Sequence, residues 1–238
     1  MPELVFFRRG EEVLRVQVGD DRLVLGRGDK CDVAIPDPEV SRQQVALKFD
    51  GKELQLEDLS GKGTLLSGKP VTNAVVPDGG DLTLGQWRAI FRASSGDGAS
   101  DATQVGDGNT QIAPKDPNAQ KWQPAQVRIK QGSNETVHKL AGDSFTAGKD
   151  PACDLVIQDR FISSRHLRVT RHEGAFHVVD TNSTNGTFIG PLRIHEVTVP
   201  LFTTLRVGEA ELVLEPAASS KKDGGGAYQG IIGSDPSV

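Results

Sequence analysis

The second half of the chain holds side chains whose types and spacing could bind a phosphorylated, extended ligand. The cation Lys149 follows Gly148, the run Ser163-Ser164-Arg165-His166 comes next, and Thr184-Asn185-Gly186 sits near the end of Asp180-Thr-Asn-Ser-Thr-Asn-Gly-Thr187. A phosphorylated hydroxyl side chain carries about -1.5 to -2 charge and three acceptor oxygens. A site for it needs a positive charge, donor hydroxyls or amides, and a rigid frame. Lys149 supplies the charge, and Ser163, Ser164 and Thr184 supply hydroxyls. Asn185 both donates and accepts, which suits clamping the main chain of an extended ligand. Gly186 permits the positive φ of a tight turn.

The arrangement occurs twice. At a shift of 122, Gly26 pairs with Gly148, Cys31 with Cys153, Asp37 with Asp159, Ser41 with Ser163 and Asp58 with Asp180. A one-residue deletion in the first copy then moves the shift to 123, so that Gly63 meets Gly186, Thr64 meets Thr187 and Gly85 meets Gly208. This period is far beyond the roughly 20 to 50 residues of a solenoid repeat, so it predicts two whole domains. A chain of 238 residues has room for them.

The elements that must position these residues read as β throughout. Short apolar runs such as Leu23-Val24-Leu25, Val45-Ala46-Leu47 and Phe176-His177-Val178-Val179 alternate with Gly, Asp, Asn and Pro, and Leu54-Gln55-Leu56-Glu57 has strict period two. No stretch keeps helical spacing for three turns, so the prediction is all-β: two β-sandwich domains joined by a flexible linker. The expected divisions are domain one over 1–95, a Gly/Ser/Asp/Asn/Pro-rich linker over 96–123, domain two over 124–217 and a tail over 218–238. The linker composition cannot offset its ordering entropy.

A net charge of -5 and a pI near 5.6 argue against direct nucleic-acid binding. Cys31 and Cys153 occupy equivalent places in the two copies, which predicts two buried, reduced thiols rather than a disulfide. No stretch approaches the roughly 20 apolar residues of a membrane span, and the sequence predicts a cytoplasmic protein with no membrane partner. The histidines show no metal-ligand spacing, so no metal or other cofactor is expected. Gly63-Thr-Leu-Leu-Ser-Gly-Lys69 fits the start of a phosphate-binding loop, but Pro70 stands where a magnesium-binding hydroxyl would be required, and the stretch reads as a hairpin. No nucleophile constellation can be argued either, so the protein is not expected to be an enzyme.

Gly-Arg/Lys, Ser-x-x-His and Asp-x-x-Ser-x-Asn-Gly-Thr, in that order on a β pattern, resemble the forkhead-associated (FHA) domain family. That family is a β-sandwich whose loops at one end bind phosphothreonine peptides. The resemblance implies that Lys149, Ser163, Ser164 and Thr184 contact phosphate, that Asn185 holds the peptide main chain, that Arg165 is at most a flanking contact, and that His166 braces the Ser loop from behind. Lys149 stands where the family usually has Arg, which keeps the charge and loses the planar fork. In the first copy, Arg27, Ser41 and Arg42 are present, but Gln44 replaces the histidine and Lys62 stands in the place of Asn185. Lysine donates and cannot accept, so a weaker site is expected there.

Two further stretches bear on partners. The linker carries Thr103-Gln-Val and Thr110-Gln-Ile, candidate acceptors for a Ser/Thr protein kinase whose phosphorylated forms could dock on the chain's own domain. The tail from Ala227 to Val238 resembles the lead-in to the ATPase domain of bacterial sigma-54-dependent transcription activators, which implies a missing ATPase region and contact with the sigma-54 machinery. Three outputs stay open: a regulatory region of such an activator, a stand-alone adaptor in kinase or secretion signalling, and a non-binding structural or dimerisation module.

Overall fold

The computed structural model describes residues 2–93 and 125–216, apart from 141 and 173. The described residues form 22 β-strands and no helix, as the period-two pattern predicts. The alternation is visible in burial: Leu54 and Leu56 are inside while Gln55 and Glu57 face water, and Phe176 and Val178 alternate with half-buried His177 and Val179.

The first copy contains β1 (Glu3–Arg8), β2 (Glu11–Gln17), β3 (Leu23–Gly26), β4 (Val33–Ala34), β5 (Val45–Phe49), β6 (Leu54–Asp58), β7 (Thr64–Leu66), β8 (Lys69–Val71), β9 (Asn73–Val76), β10 (Asp81–Leu84) and β11 (Trp87–Arg92). The second repeats the series as β12 (Ala125–Gln131), β13 (Asn134–Lys139), β14 (Ser144–Gly148), β15 (Leu155–Val156), β16 (Leu167–His172), β17 (Ala175–Asp180), β18 (Thr187–Ile189), β19 (Leu192–Ile194), β20 (Glu196–Pro200), β21 (Thr204–Val207) and β22 (Ala210–Pro216). Tight turns close the hairpins. Arg9-Gly10 and Ser67-Gly68 both have positive φ at two successive residues, the backbone whose twist matches that of the flanking strands. The second of these turns lies inside the stretch that imitated a phosphate-binding loop, which is therefore the β7–β8 hairpin.

The sandwiches are not merely tethered. Each of the two sheets runs through both copies: one in the order β15-β14-β16-β17-β20-β2-β1-β11-β10-β7-β8, the other β13-β12-β22-β21-β18-β19-β4-β3-β5-β6-β9. At the first seam Gln17 pairs with Thr198, and at the second Arg193 pairs with Ala34 and Ile194 with Val33, all antiparallel. The His195 N–H also donates to the Asp32 carbonyl at 2.8 Å. Val16, Val18, Val33, Val197 and Val199 are all buried in one apolar core that extends through both copies.

Candidate functional site

In the second copy the predicted residues converge on three loops at one end of the sandwich. The β14–β15 loop carries Lys149, the β15–β16 loop carries Ser163, Ser164 and Arg165, and the β17–β18 loop carries Thr184 and Asn185. Main-chain bonds join the first two: the Lys149 N–H donates to Ser163 O at 3.1 Å and the Asp150 N–H to Ser164 O at 3.0 Å. The second and third meet where the Thr184 N–H donates to Ser163 Oγ at 3.1 Å, and where Asn185 Nδ2 donates to Phe161 O at 2.7 Å. Lys149, Ser164, Arg165, Thr184 and Asn185 are exposed and Ser163 half-buried, so their polar ends are available to a ligand.

The frame beneath is held by close packing and hydrogen bonds. Gly148 is packed so closely that a Cβ there would lie 2.1 Å from Ser164 O, which explains the glycine before Lys149. Gly186 has φ +85°, the turn conformation the sequence predicts. Asp180, buried, accepts from the Ser183 N–H at 2.7 Å, Ser183 Oγ at 2.7 Å and Thr187 Oγ1 at 2.8 Å. At the other side of the loop cluster, Asp159 accepts from the Phe161 N–H at 2.8 Å and the Glu209 N–H at 2.6 Å, tying the Ser loop to the β21–β22 turn. Cys153 Sγ lies 3.3 Å from Ser164 O as a donor and Cys31 Sγ 3.0 Å from Arg42 O, so the two buried free thiols support equivalent loops.

His166 lies between the two loops, where the resemblance implies a brace. Its ring is buried; Nδ1 accepts from the Ser163 N–H at 3.2 Å and Nε2 donates to Gly186 O at 3.2 Å, linking two loops through one neutral tautomer. Burial pushes the imidazole below its ordinary range, and the Gly186 hydrogen bond and the Asp180 charge only partly oppose this.

The first copy holds a closer likeness than the sequence suggests. Gln44 occupies the histidine's place: its Oε1 accepts from the Ser41 N–H at 3.0 Å and its Nε2 donates to Thr64 Oγ1 at 3.2 Å. Gln44 therefore replaces the brace instead of removing it. Asp58 likewise accepts from Ser60 Oγ, Thr64 Oγ1 and the Gly61 and Gly63 N–H groups. Burial alone would raise its carboxyl, but these four bonds hold it below the usual carboxylate range. Ser60 Oγ donates to Asp58 and accepts from the Lys62 N–H, as Ser183 Oγ donates to Asp180 and accepts from the Gly186 N–H, so each serine ties its loop to the end of the strand before it. Arg27, Arg42 and Lys62 are exposed around half-buried Ser41. Gly61 stands at the place of Thr184, so this copy has an extra positive charge but lacks both that hydroxyl and the two-way amide.

Two residues at the second site escaped the sequence reading. Phe161 supplies the carbonyl that holds Asn185, its ring is 37% exposed, and the Arg160 guanidinium lies 4.5 Å from the ring centroid. An exposed aromatic directly before Ile162-Ser163 was the available signal. Thr103 and Thr110 lie outside the described residues, as does the tail from Ala227.

A model of the FHA domain family matches residues 23–85 and 145–208, together more than half of the chain. The chain belongs to the FHA family. The two matched stretches make two FHA domains, one in each copy. Among curated proteins it is 37% identical over 62 residues to the oxoglutarate dehydrogenase inhibitor of Corynebacterium diphtheriae, covering 26% of this chain and 43% of that protein. It is 32% identical over 85 residues to the FHA domain-containing protein FhaB of Mycolicibacterium smegmatis, covering 32% of this chain and 55% of the relative. The chain thus spans about half the length of these curated relatives. Among solved structures, the FHA domain of CT664 from Chlamydia trachomatis is 20% identical, covering 39% of this chain and 96% of that one at a TM-score of 0.36.

The brace gives a prediction peculiar to a tandem FHA chain. Because Gln44 already does this work in the first FHA domain, His166→Gln should keep phosphopeptide affinity within about threefold, a cost under ~1 kcal/mol. His166→Ala should leave the Ser163 N–H unpartnered, lowering stability by about 1 to 3 kcal/mol. The folded pKa of His166 lies below its unfolded value near 6.5. Its contribution is therefore complete above that pH and lost as pH falls through the lower folded value, a loss the Gln variant should not show. Thermal melts at neutral and acid pH, with peptide titrations at neutral pH, check both; equal damage from Gln and Ala would rule out the brace.

Proposed function

We propose that the chain is a non-enzymatic phosphothreonine reader, with its principal site at Lys149, Ser163, Ser164, Thr184 and Asn185. The observation that carries this reading is the joining of Ser163 and Asn185 loops through the Thr184–Ser163 and Asn185–Phe161 bonds. It leaves a cation, hydroxyls and an amide facing solvent on a hydrogen-bonded base. Nothing in this arrangement prepares a nucleophile; it prepares a fixed set of donors for a dianion. Calorimetry on the full chain should show binding of a phosphothreonine peptide and none of its unphosphorylated, phosphoserine or glutamate versions. Equal affinity for phosphorylated and plain peptide overturns the proposal.

The first domain is the weaker site in this reading. Its frame is intact, so the difference rests on Gly61 and Lys62, which supply neither the Thr184 hydroxyl nor an acceptor for the ligand main chain. Its affinity for the same peptide should be at least tenfold lower, about 1.4 kcal/mol. Titrating Ser41→Ala, Ser163→Ala and the doubly substituted full-length chain separates the two contributions, and matched affinities would show that the amide clamp is dispensable.

Ligands of this chain would be targets of a Ser/Thr protein kinase, either another protein or the chain's own phosphorylated Thr103 or Thr110. For output, the adaptor reading is favoured by the relatives described above, one of which is named as an enzyme inhibitor. The narrower reading, a regulatory region of a sigma-54-dependent activator, rests on the tail resemblance alone. Recovering the coding sequence beyond Val238 separates them: an ATPase domain there would restore the activator reading.

A further inference from the structure

The seams between the two FHA domains fix the direction in which each site faces. In the first domain β3 runs up to its binding loops, ending at Gly26 next to Arg27, and β4 runs parallel to β3. In the second domain β18 leaves the Asn185 loop at Thr187, and β19 runs back toward that loop from Leu192 to Ile194. Since β19 is antiparallel to β4, the binding end of one domain is the far end of the other. The second sheet agrees. β20, antiparallel to β17, runs away from the Asn185 loop. β2 runs away from the Lys62 loop, by the antiparallel steps from β7 through β10, β11 and β1. These two strands pair antiparallel at Gln17 and Thr198.

The seam is specialised rather than incidental. On β2, Leu14 and Val16 face Phe6 and Leu4 and are buried; on β13, the corresponding partners of Ile129 and Val127 are Thr136 and His138, both exposed. The same position is apolar where a neighbouring domain extends the sheet and polar where the sheet ends. At the opposite free edge Pro70 occupies β8 where Arg193 occupies β19, and proline cannot donate to a further strand. The free edges at β13 and β8 are blunted and their joined counterparts β2 and β19 are not.

We propose that the chain is a rigid two-headed bridge, which holds phosphothreonine segments of two separate partner chains at opposite ends of one continuous sandwich. This rests on the phosphothreonine reading above and extends it to the first domain. A short doubly phosphorylated segment cannot reach both sites. Two phosphothreonines six residues apart lie at most about 20 to 22 Å from each other, whereas the seven-residue β2 alone is about 23 Å long and the loops at each end add to it.

The test uses the full-length chain and two synthetic peptides, one with a single phosphothreonine and one with two phosphothreonines six residues apart. Titrated to saturation of the weaker site, the single-phosphate peptide should bind at two per chain, and Ser41→Ala should reduce this to one. The double-phosphate peptide should link chains into species larger than two chains by light scattering, a growth that Ser41→Ala limits to pairs, with no avidity gain in any 1:1 complex. A compact 1:1 complex tightened by 10²-fold or more would place both sites on one side and overturn the bridge. A stoichiometry of one that Ser41→Ala leaves unchanged would overturn the bridge while sparing the second site. Absence of phosphopeptide binding at either site would overturn the functional reading itself.

Discussion

Ser163→Ala in the full-length chain weakens phosphothreonine peptide binding by about 1.5 to 3 kcal/mol, the usual value of a hydrogen bond to a charged group. That corresponds to roughly ten- to 150-fold in Kd. The hydroxyl has two duties: it faces the ligand, and its oxygen accepts the Thr184 N–H at 3.1 Å, so it sets the position of the loop that carries Asn185. The loss should therefore fall in the upper part of that range and exceed the loss from Ser164→Ala, whose exposed side chain holds no other loop in place. Calorimetry on both variants, with thermal melts to show that each remains folded, makes the comparison. Full affinity in Ser163→Ala would remove this residue from the site.

Asp180→Ala should be the most damaging change to stability among the site's supports. Its buried carboxylate accepts from two hydroxyls and a main-chain N–H, all within 2.8 Å. Removing it leaves Ser183 and Thr187, themselves buried, without those acceptors. A single charged hydrogen bond contributes about 1.5 to 3 kcal/mol, so a loss of about 3 kcal/mol or more is expected. In a chain of this size that lowers Tm by about 6 to 12 °C, and peptide binding falls with it because residues 181–186 lose their anchor. The equivalent Asp58→Ala should cost less, since Asp58 is only half-buried and water can replace part of what it provides. A drop in Tm under about 2 °C for Asp180→Ala would show that the loop is held by other means.

Much of the site is local in sequence, and that is why it could be read. Each binding residue sits in a loop within a few positions of a residue with a rigid conformational demand: Lys149 beside close-packed Gly148, Asn185 beside left-handed Gly186, Ser163 three residues before the buried His166. Such spacing survives as a pattern because a one-residue slip would turn the side chain away from the site. The brace at Gln44 was not legible in this way. Histidine and glutamine look unlike as letters, and only their contacts show that each presents an acceptor to a serine N–H and a donor to the opposite loop. Phe161 went unnoticed for a similar reason: what it offers to Asn185 is a main-chain carbonyl, which every residue has.

The amino-acid sequence by itself determined that the chain is all-β, that it repeats, where the candidate binding loops lie and that the first copy has Lys62 in the place of Asn185, because periodicity, turn residues and motif spacing are short-range properties. Only the tertiary structure decided that the two sandwiches share both sheets and face opposite ways. Strand pairing between β4 and β19 is made by main-chain groups common to all residues, so composition does not specify partner or direction. A trace left in the sequence is the contrast of Leu14 and Val16 with Thr136 and His138, an apolar strand where a neighbour covers the sheet and a polar one where water does.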